Sequence, residues 1–289
     1  MGSILLKARD YGRMVRFSHS VFALPFALAS VAFASITAPV TARIVVWVIV
    51  AMLAARNAAM GFNRLADAAI DARNPRTAAR EIPRGVLRRG EVAAFVVLLS
   101  AIFILAAGML NRACLWLSPV ALAIVFLYSY TKRFLWASQL VLGLSLAIAP
   151  VGAWIAVTGA IAWPPVLLGA SVLTWVAGFD VIYALQDIDF DRREGLHSIP
   201  ARFGARASLW IARLLHILSV AALLAVYPLL PLHPIYLAGV GVVALLLAYE
   251  HTLVRPDDLS KVNLAFFTTN GIVSIVYCAA AAAAVALAR

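Results

Sequence analysis

The sequence predicts an all-α integral membrane protein, nine transmembrane helices in a single bundle, and three observations carry that expectation. Hydrophobic residues make up 64% of the 289 and charged residues only 13%, with a mean hydropathy of +0.95. That is far from the balance of a soluble domain. Apolar runs long enough to cross a bilayer as helix, about 18 residues or more, recur along most of the chain. Threading nine of them from a cytoplasmic N-terminus puts 21 of the 24 Lys and Arg residues on the inner side, leaving only Arg43, Arg112 and Arg289 outside. This is the positive-inside bias of a membrane protein.

The expected spans are 18–38, 43–62, 91–110, 114–131, 135–158, 164–186, 205–227, 234–252 and 264–287. The first lacks the small-residue cleavage site of a signal peptide. It opens with His19 near the inner mouth, placed either to meet substrate or to be satisfied by neighbours, and it carries Pro25, expected to kink it. Pro119 and Pro150 bend the fourth and fifth spans, and Gly143 and Gly152 permit close helix packing. Trp163-Pro-Pro165 starts the sixth span, with proline in the first helical turn. Cys114 and Cys278 belong to no paired or metal-spaced pattern and read as small core hydrophobes. The net charge of +11 orients the chain in the lipid bilayer and supplies phosphate contacts. A nucleic-acid partner is excluded.

The chemistry is concentrated in two inner segments. Arg56 to Gly85 reads RNAAMGFNRLADAAIDARNPRTAAREIPRG. Asn63, Asp67 and Asp71 fall at i, i+4 and i+8, one face of a helix, with Arg56 nearly two turns earlier on that face. Carboxylates and an amide one turn apart are hard oxygen ligands suited to Mg2+, which takes one or two protein carboxylates together with phosphate oxygens. Arg76, Arg80 and Arg84 follow, and arginine suits a polyphosphate. Positive-inside bias explains the arginines but not three oxygen ligands spaced by four. Between the second and third spans lies a polar stretch, Ala72 to Gly90, of the length that lids and binding loops have.

The inner end of the sixth span repeats the theme. Asp180, Tyr183, Asp187 and Asp191 fall at i, i+3, i+7 and i+11, again one helical face. Asp189 lies off that stripe. The loops that follow echo one another, Arg80-Glu-Ile-Pro-Arg-Gly85 against Ser198-Ile-Pro-Ala-Arg-Phe-Gly204. A single domain over 1–289 with two duplicated halves, about 1–133 and 134–289, is therefore expected. Lys132 and Arg133, in the inner turn before the fifth span, reach toward a diphosphate from across the bundle, or serve as ordinary stop-transfer charges. Glu250, His251, Asp257, Asp258 and Lys261 in the last inner loop read as a solvated face.

Acidic groups gathered at two helix ends repel one another unless a cation lies between them. Magnesium relieves the repulsion and holds a diphosphate, which arginine and lysine stabilise as leaving group. The greasy surroundings call for a hydrocarbon on the other end of that diphosphate. Its departure from an allylic chain leaves a carbocation, which a dry cavity with aromatic faces protects. Tyr183 is the candidate for that contact, against a plain packing role.

Asn63-Arg-Leu-Ala-Asp67-Ala-Ala-Ile-Asp71, with Arg80 and Ile82-Pro83 behind it, resembles the NxxxDxxxD motif of the UbiA family of intramembrane prenyltransferases. Asp180-Val-Ile-Tyr183-Ala-Leu-Gln-Asp187-Ile-Asp-Phe-Asp191 resembles that family's second motif, DxxYxxxDxxxD. The resemblance implies nine helices around a central cavity, with caps over the two acidic motifs on the cytoplasmic side of a bacterial inner membrane. It implies two Mg2+ ions bridging a polyprenyl diphosphate to Asn63, Asp67, Asp71, Asp187 and Asp191, with Asp180 in support. It also implies that Arg80 and Lys132 hold the diphosphate while Arg56 faces the carboxylate of an aromatic hydroxy-acid acceptor.

Within the family the chain is most similar to the 4-hydroxybenzoate branch that supplies ubiquinone. His19-Ser-Val-Phe-Ala-Leu-Pro-Phe and Leu196-His-Ser-Ile-Pro-Ala-Arg-Phe-Gly204 look more like members that prenylate 1,4-dihydroxy-6-naphthoate for menaquinone. Both acceptors are acidic phenols, so Arg56 fits either. A cation-coupled transporter also carries intramembrane carboxylates, but here the acids lie at inner helix ends and the loops are rich in arginine. A phosphatidyltransferase of the CDP-alcohol type would need a DGxxAR pattern that is absent.

Overall fold

The computed structural model describes residues 2–15 and 22–288; the site expectation at His19 lies outside them. The chain runs α1 (Gly2–Met14), α2 (Leu24–Ala34), α3 (Ala42–Arg73), α4 (Arg89–Leu110), α5 (Arg112–Thr131), α6 (Ser138–Thr158) and α7 (Trp163–Ala184). A 3-10 turn (Leu185–Asp187) leads to α8 (Ile188–Arg193), followed by α9 (Ile199–Val226) and α10 (Ile235–Leu253). A π-helical turn (Leu264–Thr269) opens α11 (Asn270–Ala286). No strand occurs among the described residues beyond one isolated bridge, Arg255 with Asp258.

Among the described residues, eight helices are long and apolar enough to cross a membrane. The first expected span, 18–38, is represented among the described residues by α2, which has 11 residues. At 1.5 Å per residue α2 reaches about 16 Å, short of a hydrocarbon core of about 30 Å. Its end is chemical: Ser35 and Thr37 turn their hydroxyls back onto the carbonyls of Ala32 and Ala34 at 2.7 and 3.0 Å, and Pro39 follows.

α3 is 32 residues long and runs straight through the first motif. Alanines at 66, 68, 69 and 72 favour helix, so Arg56, Asn63, Asp67 and Asp71 keep the register read from the sequence. Thr41 caps the start by accepting from the Ile44 amide at 3.3 Å. Asn74 ends the helix with extended backbone, φ −88° and ψ 117°, because a residue before proline is pushed out of the helical region.

α7 is the inner column of the bundle: 61% of its apolar window is buried, against 22% in α4 and α5, which lie at the periphery. Trp175 and Phe179 on α7 pack with Phe22 and Phe26, and with Tyr236 and Tyr277 of the last two spans. Gly143 of α6 meets α7 so closely that a Cβ there would run into the Leu173 carbonyl. We therefore expect Gly143→Ala to force the two backbones apart at a cost of about 1–3 kcal/mol, read as a lowered Tm of the purified protein. An unchanged Tm would show that this approach does not hold the bundle together.

One expectation needs correction. The second motif does not ride on a single continuous helix. α7 stops at Ala184, and the 3-10 turn and α8 carry Asp187 and Asp191 onward. A 3-10 turn winds three residues per turn, so the stripe from Asp180 to Asp191 is bent where side chains from the facing loop take hold of Asp187. α9 also breaks, at Gly204 (φ 78°, ψ 172°). Only glycine adopts that conformation readily, and the membrane-crossing part of the helix begins after it.

Candidate active site

The end of α3 and the end of α7 are clasped together. Asn74 Nδ2 donates to Asp187 Oδ1 at 3.1 Å, and Arg76 Nε donates to the same oxygen at 2.9 Å. The Arg76 Nη2 pairs with Asp187 Oδ2, making the contact bidentate, and Nη1 donates to the Tyr183 hydroxyl at 2.9 Å. Local chemistry sets up this loop. Asn74 Oδ1 accepts from the Arg76 amide at 2.9 Å, an Asx-type turn of the kind Asn-Pro favours, and it aims the Arg76 guanidinium across at α7. Farther out, Arg73 Nε reaches Glu194 Oε2 at 2.8 Å.

Each remaining carboxylate of the two motifs has its own partner, Asp180 apart. Lys132 Nζ lies 2.6 Å from Asp67 Oδ2, which also accepts from Asn63 Nδ2 at 3.2 Å. Arg80 Nη1 bridges both oxygens of Asp71 at 2.7 Å. Asp191 Oδ2 accepts from Ser198 Oγ at 2.8 Å, while the same Ser198 caps α9 through the Ala201 amide. Asp180 stands within Coulombic reach of Asp187, Arg76, Asp191 and Lys132. Tyr128 on α5 stands within Coulombic reach of both Asp67 and Asp180. The α5–α6 turn is tied to the second motif's loop by the His197 amide, which donates to the Lys132 carbonyl at 2.7 Å.

The structure thus brings Asn63, Asp67, Asp71, Arg80, Lys132, Tyr183 and Asp187 to one end of the bundle, with Asp180 and Asp191 beside them. Arg56 is engaged differently: its Nη1 donates to the Val15 carbonyl at 2.9 Å and to Asn57 Oδ1 at 3.0 Å. Sequence reasoning missed Asn74 and Ser198, and it left Arg76 unassigned among the trailing arginines. The Asn-Pro dipeptide was the available signal for Asn74. The repulsion expected between the acids is relieved here by lysine and arginine, and among the described residues no three His, Cys, Asp or Glu side chains converge as a metal cluster.

The donor set nevertheless suits a hard divalent cation, being all oxygen. Asp67 Oδ1 is buried without a hydrogen-bond partner, and Arg133 Nη2 stands 3.9 Å from it. A buried carboxylate oxygen in that condition is costly to leave unsatisfied. Above the acids runs a column of rings. Tyr183 lies 4.2 Å from Phe266, which is 5.3 Å from Phe179, itself 5.1 Å from Trp175. Phe266 is delivered by the π-helical turn.

Residues 23–272 match the UbiA prenyltransferase family. The chain belongs to that family. As a UbiA protein it is a membrane prenyltransferase, and its relatives agree. It is 32% identical over 222 residues to the 4-hydroxybenzoate octaprenyltransferase of Edwardsiella ictaluri, covering 77% of each chain. To the enzyme of the same name from Pseudomonas fluorescens it is 32% identical, over 79% of this chain and 76% of the other. Among solved structures, the apo UbiA homolog from Aeropyrum pernix K1 superposes with a TM-score of 0.83 at 34% identity, over 91% of this chain and 96% of that one. The UbiA homolog from Archaeoglobus fulgidus bound to GPP and Mg2+ shares the fold, with a TM-score of 0.71 at 19% identity over 96% and 99% of the chains.

Proposed function

We propose that this UbiA enzyme transfers a polyprenyl chain from polyprenyl diphosphate to 4-hydroxybenzoate, with Mg2+ as cofactor and the active site on the cytoplasmic side. The observation that carries the proposal is the clasp of Asp187 by Asn74 and Arg76, which joins the acid-bearing ends of α3 and α7. The 4-hydroxybenzoate relatives and the GPP- and Mg2+-bound fold neighbour support the substrate and metal assignments, and the inner-side excess of basic residues supports the orientation.

Asn63, Asp67, Asp71, Asp187 and Asp191 would hold magnesium, which supplies Lewis-acid stabilisation of charge on the diphosphate oxygens. The chain's own residues do the rest. Lys132, Arg80 and Arg76 now neutralise carboxylates; on substrate binding their donors turn to diphosphate oxygens. The bond between the allylic carbon and the diphosphate oxygen breaks, and its electron pair leaves with the diphosphate. The allylic cation is held against the Tyr183 and Phe266 faces in a site closed to water. The electron-rich ring of the acceptor forms the new carbon–carbon bond, and the proton on that ring carbon passes to the departed diphosphate, restoring aromaticity. Asp180, one turn before Tyr183, supports the negative field that retains the metal. Arg56 sits two turns inward of Asn63, where its guanidinium meets the acceptor's carboxylate.

The test is transfer from labelled prenyl diphosphates of several lengths by the purified protein, with 4-hydroxybenzoate and 1,4-dihydroxy-6-naphthoate offered separately. Product from 4-hydroxybenzoate, abolished by EDTA and restored by Mg2+, is the expected result. Product from the dihydroxynaphthoate alone would move the enzyme to menaquinone synthesis, and uptake without product would make it a transporter. In the same assay Arg56→Gln is expected to raise the acceptor KM by roughly 10–100-fold, the worth of a charge-assisted hydrogen bond, and to leave the diphosphate KM nearly unchanged. The opposite pattern would remove Arg56 from acceptor binding.

A further inference from the structure

A second basic site lies outside the acidic centre, between α9 and the end of α10. It is an open cleft of about 520 Å3 whose lining includes Arg206, Trp210, Arg213, His251 and Arg255. Arg206, Trp210 and Arg213 fall at i, i+4 and i+7, so they share one face of α9. Arg213 lies about 10 Å deeper along the helix than Arg206. Its guanidinium stands over the Trp210 ring, 4.5 Å from the centroid. Arg255 comes from the turn after α10, whose backbone is fixed by the paired amides and carbonyls of Arg255 and Asp258.

Among the described residues none of these three arginines lies within ion-pair distance of a carboxylate. The nearby acids are occupied or turned outward: Asp258 Oδ1 accepts from the Ser260 amide at 3.0 Å, and Asp257 is exposed. His251 spends Nε2 on His216 Nδ1 at 3.0 Å and keeps a buried Nδ1 with no hydrogen-bond partner. Arg206 also sits in the first turn after the Gly204 break, where the positive end of the helix repels a cation unless an anion is supplied. Three guanidiniums without a carboxylate in ion-pair contact and a helix start ask for negative charge.

The surroundings decide the kind of anion. From Trp210, 64% exposed, the same face of α9 continues into Leu214 and Ile217, which are 56% and 65% exposed. An apolar stripe on the outside of a membrane-crossing helix faces acyl chains. The cleft therefore opens along the bilayer at headgroup depth, where tryptophan anchors are favoured and where basic pockets between spanning helices hold acidic headgroups. We infer that this cleft binds the phosphodiester headgroup of an anionic phospholipid, with Arg206, Arg213 and Arg255 on the phosphate and the acyl chains along Trp210, Leu214 and Ile217.

The full chain, purified in non-ionic detergent and stripped of lipid, tests this directly. Phosphatidylglycerol, phosphatidylcholine and inorganic phosphate are titrated separately, with binding followed by native mass spectrometry and by Tm. Phosphatidylglycerol is expected to bind and raise Tm, while the other two do neither. At about fivefold per arginine, Arg255→Gln in the exposed turn weakens binding roughly fivefold, and Arg213→Gln with Arg255→Gln roughly thirtyfold. Arg84→Gln with Arg89→Gln, on the other half, leaves it intact. Equal binding of phosphatidylcholine, an equal effect of inorganic phosphate, or undiminished binding by Arg255→Gln would overturn the inference.

Discussion

Asp67→Asn and Asp187→Asn are each expected to lower kcat/KM for prenyl transfer by at least about 10²–10³, the loss seen when one preorganised electrostatic contact to a developing charge is removed. Both substitutions preserve shape and remove charge. At Asp67 the partner is Lys132, 2.6 Å away, and the change leaves that ammonium free to bind diphosphate while losing a carboxylate proposed to hold the metal. At Asp187 it also frees Arg76. If the acids served only to balance the bases, freeing the bases would strengthen diphosphate binding and preserve turnover. The account requires the reverse. Steady-state transfer with a labelled prenyl diphosphate measures it, with Tm as a check that the fold persists.

Arg76→Lys is expected to cost roughly 10–100-fold in kcat/KM for the diphosphate, as Arg76→Ala does, from the loss of charge-assisted hydrogen bonds. The guanidinium meets both Asp187 oxygens and the Tyr183 hydroxyl at once. A lysine ammonium on a flexible stem does not reproduce that planar fork. The side chains of Arg76 and Asp187 are 29% and 16% exposed, so the pair is shielded enough for geometry to count. If the lysine variant retained full activity, positive charge alone would be sufficient and the clasp would be incidental.

How far the sequence could be read follows from the range over which each feature is determined. The α3 motif was legible because its helix is local: alanine-rich, proline-stopped, with ligands every four residues. The bend at Asp187 was not legible. Leu185 to Asp189 contains no glycine or proline to announce it, and the 3-10 turn is held by Asn74 and Arg76 from more than a hundred positions away. Their contribution depends on how the loop after α3 lies against α7, which periodicity does not encode. The inner-to-outer extent of the first span was legible only in part, because hydropathy passes over Ser35 and Thr37, whose hydroxyls turn back onto the α2 carbonyls. His251, read as part of a solvated face, instead pairs with the buried His216, a contact that only the packing of α9 on α10 creates.

The central claim is that acids from the ends of α3 and α7 grip one metal-bound diphosphate. Mn2+ titration into the solubilised protein with a non-hydrolysable prenyl diphosphate analogue, followed by electron paramagnetic resonance, measures that grip without turnover. The account predicts that Asp67→Ala and Asp187→Ala each weaken joint binding of Mn2+ and analogue roughly tenfold or more, since each removes a carboxylate from a small ligand set. Undiminished joint binding in either variant would contradict it.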